Sequence, residues 1–241
     1  MKELIEKQVN RFRDQNSLSS SEAVNLKSLL IKLGVNSVFE SLSENFSGMA
    51  MKIADNRFIL INSSQSIGRQ NFTIAHELYH LFIQADFDSM FCQVGFFNKK
   101  NQIEYLADLF AACFLMPESG IISMMPDDEL SAKNASLHTI VKLEQYFGVS
   151  RKAMLRRLKE LDLLKKAQHE QFSMLGARLI AKQLGYDIAL YLPGNDKLVI
   201  GDYGEKARIL FEKEIISEGH YLNLMHSIGA DLAIEDNGKE I

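Results

Sequence analysis

The first hydrophobic pattern along the chain has a helical period: Leu4, Ile5, Val9 and Phe12 fall on one face of residues 2 to 14. The serines Ser19, Ser20 and Ser21 then offer an N-cap for a second helix that ends near Gly34. From Gly48 to Asn62 the pattern changes to two apolar runs around Asp55-Asn56, whose side chains tolerate left-handed turn geometry. This predicts a β-hairpin. Beyond a polar stretch, the spacing predicts a helix from about Phe72 to Gln84. Another follows from about Gln102 to Met116, stopped by Pro117.

Residues 137 to 147 and 150 to 164 read as two amphipathic helices, with Gly148 ending the first and Ser150 capping the second. A boundary is expected near residue 167, so that residues 1–166 form the main domain and residues 167–241 a small C-terminal region. That region reads as α-β-β-α: a helix over about 171 to 184, the short strands DIALYL and KLVIG, and a helical end whose last residues, DNGKEI, are frayed. The expected fold class is α+β, a mostly helical core with a small β-hairpin or sheet plus the α-β-β-α appendage.

With 241 residues, the chain is long enough for one large domain and a small appendage. Its 46% hydrophobic and 24% charged residues match the ordinary balance of chains that fold. The formal charge of −4 excludes a surface built as a whole to hold nucleic acid and leaves room for a local basic patch. Cys92 and Cys113 are the only cysteines. They are too few for a disulfide framework and lack C-x-x-C spacing, so both are expected to be buried or idle thiols. The amino terminus lacks the unbroken apolar core of a secretory signal, and no stretch approaches about 18 consecutive apolar residues. A cytoplasmic, reducing location without a membrane partner is expected.

Chemistry enters with FTIAHELYHLFI, which contains His76-Glu77-x-x-His80. On a helix, positions i and i+4 differ by about 40° and about 6 Å, so both imidazoles project from one face toward one ion. Ile74, Leu78, Leu81 and Phe82 cover the other faces and bury the helix. The next helix, IEYLADLFAACFLMP, is apolar except for Glu104 and Asp108, one turn apart on one face. Uncompensated carboxylates in that setting are costly or take up protons, whereas a divalent cation relieves both repulsion and desolvation. Two histidines and a carboxylate, with a fourth position open to water, form a recurring catalytic zinc shell, and Glu104 supplies its third ligand. Asp108 then accepts the distal N–H of a ligand histidine. Glu77, beside His76 but not a ligand, is the candidate general base for water activated by the ion. The imidazole ligands favour zinc over magnesium or calcium, and by residue type they also suit manganese, iron or cobalt.

Beyond this motif, the run from about Glu22 to Leu164 resembles the ImmA/IrrE family of metallopeptidases. The matching residues are Ser47-Gly48-Met49, Asn62, Arg69 to Leu78 continuing through His80, and Glu104-x-x-Ala107-Asp108-x-Phe110-Ala111 running to Leu115-Met116-Pro117. Phe147-Gly148-Val149-Ser150 and Arg156-Arg157-Leu158 match the family's closing helix pair. Tyr79 departs from the pattern: many relatives carry glycine there, and its bulk is expected to narrow the cleft. The resemblance implies a zincin-like metallopeptidase core, with His76 and His80 as ligand histidines, Glu77 as catalytic glutamate and Glu104 as third ligand. It also implies a protein substrate, a helix-turn-helix repressor or an antitoxin-like regulator encoded nearby. His138, Tyr79 and Arg157 are candidate donors to the oxyanion.

Two rival readings stand beside the peptidase. Residues 151–166 hold seven basic residues against two acidic ones, which suggests a DNA-binding regulator. Met154, Leu155, Leu158, Leu161 and Leu163 nevertheless give this helix a face suited to packing. The other rival is a zinc-stabilised module that sequesters a partner protein without turnover. Glu77 weighs against it, because a closed structural zinc site has no use for a base.

Overall fold

The structure, a computed structural model, describes residues 2–85, 87, 97 and 101–230, together with the backbone of 89–92. Helix α1 (Lys2–Gln15) buries Ile5, Val9 and Phe12, as their spacing requires, and buries Arg13 as well. The Arg13 guanidinium donates to the carbonyl oxygens of Phe114, at 2.7 Å, and Glu22, at 3.0 Å. Burial lowers its pKa to about 10, so the group stays charged at neutral pH. Helix α2 (Leu26–Lys32) starts at Asn25, whose side chain accepts from the Ser28 N–H, and not at the serine cluster. The serines lie in an irregular segment, in which Ser19 O accepts from Arg13 and Ser20 O from Ser119.

A five-stranded sheet follows. Strand β1 (Val35–Glu40) pairs in parallel with β3 (Asn56–Asn62), and β3 forms the expected antiparallel hairpin with β2 (Gly48–Ile53). The left-handed residue of the turn is Ala54, with φ 50°, and not Asp55 or Asn56. No alternation announces β1, because Val35, Asn36 and Ser37 are all buried and the strand is covered on both faces.

Helix α3 (Ile67–Phe82) starts at Ile67 and not near Phe72, and it packs against β2, β3 and α4. Strand β4 (Ser89–Cys92) adds antiparallel to β2. Helix α4 (Gln102–Leu115) is the core helix: Phe110 and Phe114 stack with ring centroids 5.6 Å apart, and Phe12 of α1 packs edge-on against both. The stretch Gln102–Met124 is long and apolar enough to cross a membrane by composition, and here it is mostly buried inside the protein.

Helices α5 (Glu118–Met124), α6 (Asp127–Ala132), α7 (Leu137–Phe147) and α8 (Arg151–Glu160) follow. Ser136 and Ser150 cap α7 and α8 through their side chains, and Gly148 ends α7 at φ 63°. Helix α8 stops at Glu160, short of residue 164, where the chain turns through left-handed Asp162.

The C-terminal pattern differs from α-β-β-α. The helix expected over 171–184 is two, α9 (Lys166–Ser173) and α10 (Ala177–Gln183), broken before Gly176. DIALYL forms a 3-10 turn at Ala189–Tyr191 in place of a strand. It is anchored by a side chain and not by a ladder, because the Tyr191 hydroxyl donates to buried Glu144 at 2.7 Å. KLVIG does provide strand β5 (Val199–Ile200), antiparallel to β1, which completes the order β4-β2-β3-β1-β5. Helices α11 (Tyr203–Glu212) and α12 (Glu218–Ser227) follow. DNGKEI and the Cys92 side chain lie outside the described residues. Cys113 is a buried free thiol, and burial pushes its pKa up.

Candidate metal centre

Helix α3 is amphipathic in an unusual sense: nearly all its faces are buried, including those with polar side chains. His76, Glu77 and His80 are each 0% exposed. Buried polar groups need partners. His76 Nδ1 lies 2.9 Å from Asp108 Oδ1, and a carboxylate only accepts, so the imidazole donates there. His80 Nδ1 donates to Gln84 Oε1 at 2.6 Å, and its ring stacks on Phe87. With both protons held at Nδ1, both Nε2 atoms of the neutral imidazoles are left as bare acceptors, facing each other at 3.1 Å.

Glu104 closes this arrangement from α4. Asn101 caps that helix by accepting from the Glu104 N–H, which fixes Glu104 in the first turn. Its Oε2 lies 3.3 Å from His76 Nε2 and its Oε1 lies 3.4 Å from His80 Nε2. Tetrahedral zinc with bonds of about 2.0–2.1 Å places neighbouring ligand atoms about 3.3 Å apart. The separation of the two imidazole nitrogens is close to that spacing, each of them meets a different oxygen of Glu104, and with one ligand atom taken per residue all three lie within 4.8 Å of one another. Two imidazole nitrogens and a carboxylate converging on one point call for a positive charge there, so the donor set fits a metal ion. Among the described residues, His76, His80 and Glu104 are the group of this kind.

Electrostatics lead to the same conclusion. Burial by itself lowers the His76 pKa, but hydrogen bonds to Asp108 and Glu104 and the nearby carboxylate charges outweigh it and hold the imidazole above its ordinary range. Burial and then the charge of His76 push His80 the other way. In the metal-free cluster His76 is therefore the charged imidazole and His80 the neutral one, and the extra proton on His76 Nε2 sits in the place a cation would take.

Glu77 projects toward β2, where Gly48 lets the backbone approach closely. A Cβ at Gly48 would lie 2.5 Å from Thr73 Cγ2 and 3.2 Å from Glu77 Oε1. The other sequence candidates are placed elsewhere. His138 is exposed on α7, near the Tyr186 ring. Arg157 is buried and donates to Met116 O at 3.0 Å. Tyr79 packs in the core against Phe110 and the His80 ring, so its bulk fills the interior and does not narrow a cleft. Sequence reading missed Gln84, whose only signal is its position one turn after His80, and it noted Gly48 only within the family match, because the role of that glycine depends on a strand-to-helix approach.

The three arginines of the basic run are engaged by other groups of the protein, whereas Lys152, Lys159, Lys165 and Lys166 are exposed. Arg151 is buried and its Nε donates to Glu144, Arg157 is buried against the core helix, and Arg156 pairs with Glu160 and lies over the Phe97 ring.

A model of a peptidase family, described as the IrrE N-terminal-like domain, matches residues 32–159, more than half of the chain. Comparison with curated proteins finds no match.

Proposed function

This chain belongs to the IrrE N-terminal-like family of peptidases, and we propose that it is a zinc-dependent endopeptidase that cuts a regulatory protein. The supporting observation is the triangle of His76 Nε2, His80 Nε2 and Glu104 carboxylate oxygens at 3.1, 3.3 and 3.4 Å. Two imidazole nitrogens and one carboxylate gathered in this way suit a single zinc ion, with a fourth position for water and substrate.

In this reading His76, His80 and Glu104 hold the ion. When bound, zinc supplies a Lewis acid for the peptide carbonyl and lowers the pKa of water to about 7. Glu77 takes a proton from the attacking water and passes it to the leaving nitrogen. Asp108 and Gln84 hold the two imidazoles in the tautomer whose Nε2 faces the ion. Glu77 is fully buried, which keeps bulk water away from the proton it carries. The substrate class comes from the resemblance alone: a helix-turn-helix repressor or an antitoxin-like regulator encoded nearby.

Zinc-loaded protein incubated with the products of neighbouring genes tests this reading. Glu77→Gln is expected to keep its metal and lose cleavage by a factor of about 10² to 10⁴, whereas His80→Ala loses both. Cleavage by Glu77→Gln at the wild-type rate removes Glu77 as the base. Metal-loaded wild type that binds a neighbour's product without cutting it favours the sequestering module.

A further inference from the structure

The carboxylate that orients His76 is itself held from beyond the metal centre. Asp108 Oδ1 lies 2.9 Å from His76 Nδ1, and Asp108 Oδ2 accepts the backbone N–H of Phe97 at 2.6 Å. Turning the carboxylate away from the imidazole therefore breaks the Phe97 bond as well. Phe97 adopts φ 48°, in the left-handed region that a bulky side chain disfavours, so its place depends on what grips the ring.

Three elements supply that grip. The Phe97 ring centroid lies 6.2 Å from that of Phe72 on α3 and 6.4 Å from that of Tyr105 on α4. The third neighbour comes from α8, where Arg156 Cζ sits 3.3 Å from the same centroid. That distance is well inside the reach of about 6 Å over which a cation is drawn to an aromatic face. Glu160, one turn further along α8, accepts from Arg156 Nε at 2.9 Å and keeps the guanidinium in place. Phe97 is only 8% exposed, whereas the Arg156 side chain is 38% exposed. The arginine is thus the outer layer over a ring whose backbone holds Asp108.

We infer that Arg156 is a positioning residue for the metal centre. Stacked on Phe97, it keeps the Phe97 N–H on Asp108, and Asp108 keeps the His76 imidazole turned toward the ion. The inference rests on the zinc-binding part of the proposed function and not on peptide hydrolysis. Arg156 acts through two intermediaries, so its removal has a smaller effect than the loss of a group that bonds a ligand directly.

The test follows the transfer of zinc from the full chain to a chromophoric chelator, with the melting temperature of the metal-free protein measured beside it. Arg156→Ala is expected to release zinc about three- to tenfold faster than wild type, against about 10- to 100-fold for the loss of a direct partner of a ligand. Its metal-free melting temperature stays within about 4 °C of wild type, as for most substitutions of a partly exposed side chain. Arg156→Lys recovers much of the slow release, because an ammonium is also drawn to the ring. Phe97→Leu keeps the N–H and loses the ring. It releases zinc at least as fast as Arg156→Ala, and combining the two changes adds nothing further. Release from Arg156→Ala at the wild-type rate overturns the inference, as does a lysine variant no slower than the alanine one. Additive effects in the double variant overturn it too, since Arg156 then does not act through Phe97. Faster release together with a larger fall in melting temperature assigns Arg156 to general stability and also overturns it. Wild type that takes up no zinc removes the metal centre and this inference with it. Arg156-dependent release without cleavage of any neighbour's product leaves the inference standing and overturns only the peptidase reading.

Discussion

Asp108 accepts from His76 Nδ1 through one carboxylate oxygen at 2.9 Å, and through the other it accepts the backbone N–H of Phe97 at 2.6 Å. One side chain on the core helix thus fixes the tautomer of a candidate metal ligand and also holds the backbone at Phe97. Asp108→Asn removes the charge that raises the basicity of the imidazole. Zinc affinity is expected to fall about 10- to 100-fold, read by competition with a chromophoric chelator. Unchanged affinity would show that Asp108 serves folding alone.

The raised His76 pKa sets the sign of a pH effect. In metal-free protein this imidazole is still protonated at neutral pH, because Asp108 and Glu104 outweigh the burial that lowers it. Zinc must displace that proton, so affinity rises with pH. The expected slope is about tenfold per unit between roughly pH 7 and 8, where an unshifted imidazole is already neutral and gives no slope. Calorimetry in buffers of different ionisation enthalpy measures the proton released per zinc, and no release at pH 7.5 would contradict the assignment.

Gly48 has no room for a side chain against Thr73 and Glu77. Gly48→Ala forces β2 and α3 apart. It is expected to destabilise the protein by about 1–3 kcal/mol and to displace the Glu77 carboxylate. Denaturant unfolding reads the first effect. The second appears as a loss of kcat at unchanged zinc content.

Glu144 is fully buried and receives the Arg151 Nε–H and the Tyr191 hydroxyl. Burial raises its pKa against the pull of both partners. Tyr191→Phe leaves one buried oxygen without a donor, at a cost of about 1–3 kcal/mol, measured by denaturant unfolding. Because Tyr191 anchors the segment after α10, limited proteolysis is expected to cut that segment faster in the variant.

The candidate site was legible in the sequence because its parts are local. His76 and His80 share a helix face, and Glu104 and Asp108 break an otherwise apolar helix one turn apart. The hairpin and the caps at Ser150 and Gly148 were legible for the same reason. What stayed hidden depends on distant partners. Nothing in the sequence marks Arg13, Arg151 and Arg157 as interior, yet each is buried among groups that other elements supply. Strand β1 lacked alternation because it is covered on both faces, and DIALYL looked like a strand although Tyr191 turns inward to Glu144.

The sheet also dictates an order of assembly. Ser37 pairs with Ile200, so one flank of β1 gains its neighbour only after most of the chain has been synthesised. Until then, the nascent protein presents a bare strand edge able to pair with another copy. A chain stalled or truncated before residue 199 keeps that edge, and its products are expected in the aggregated fraction even though every residue of the candidate metal centre has already been made.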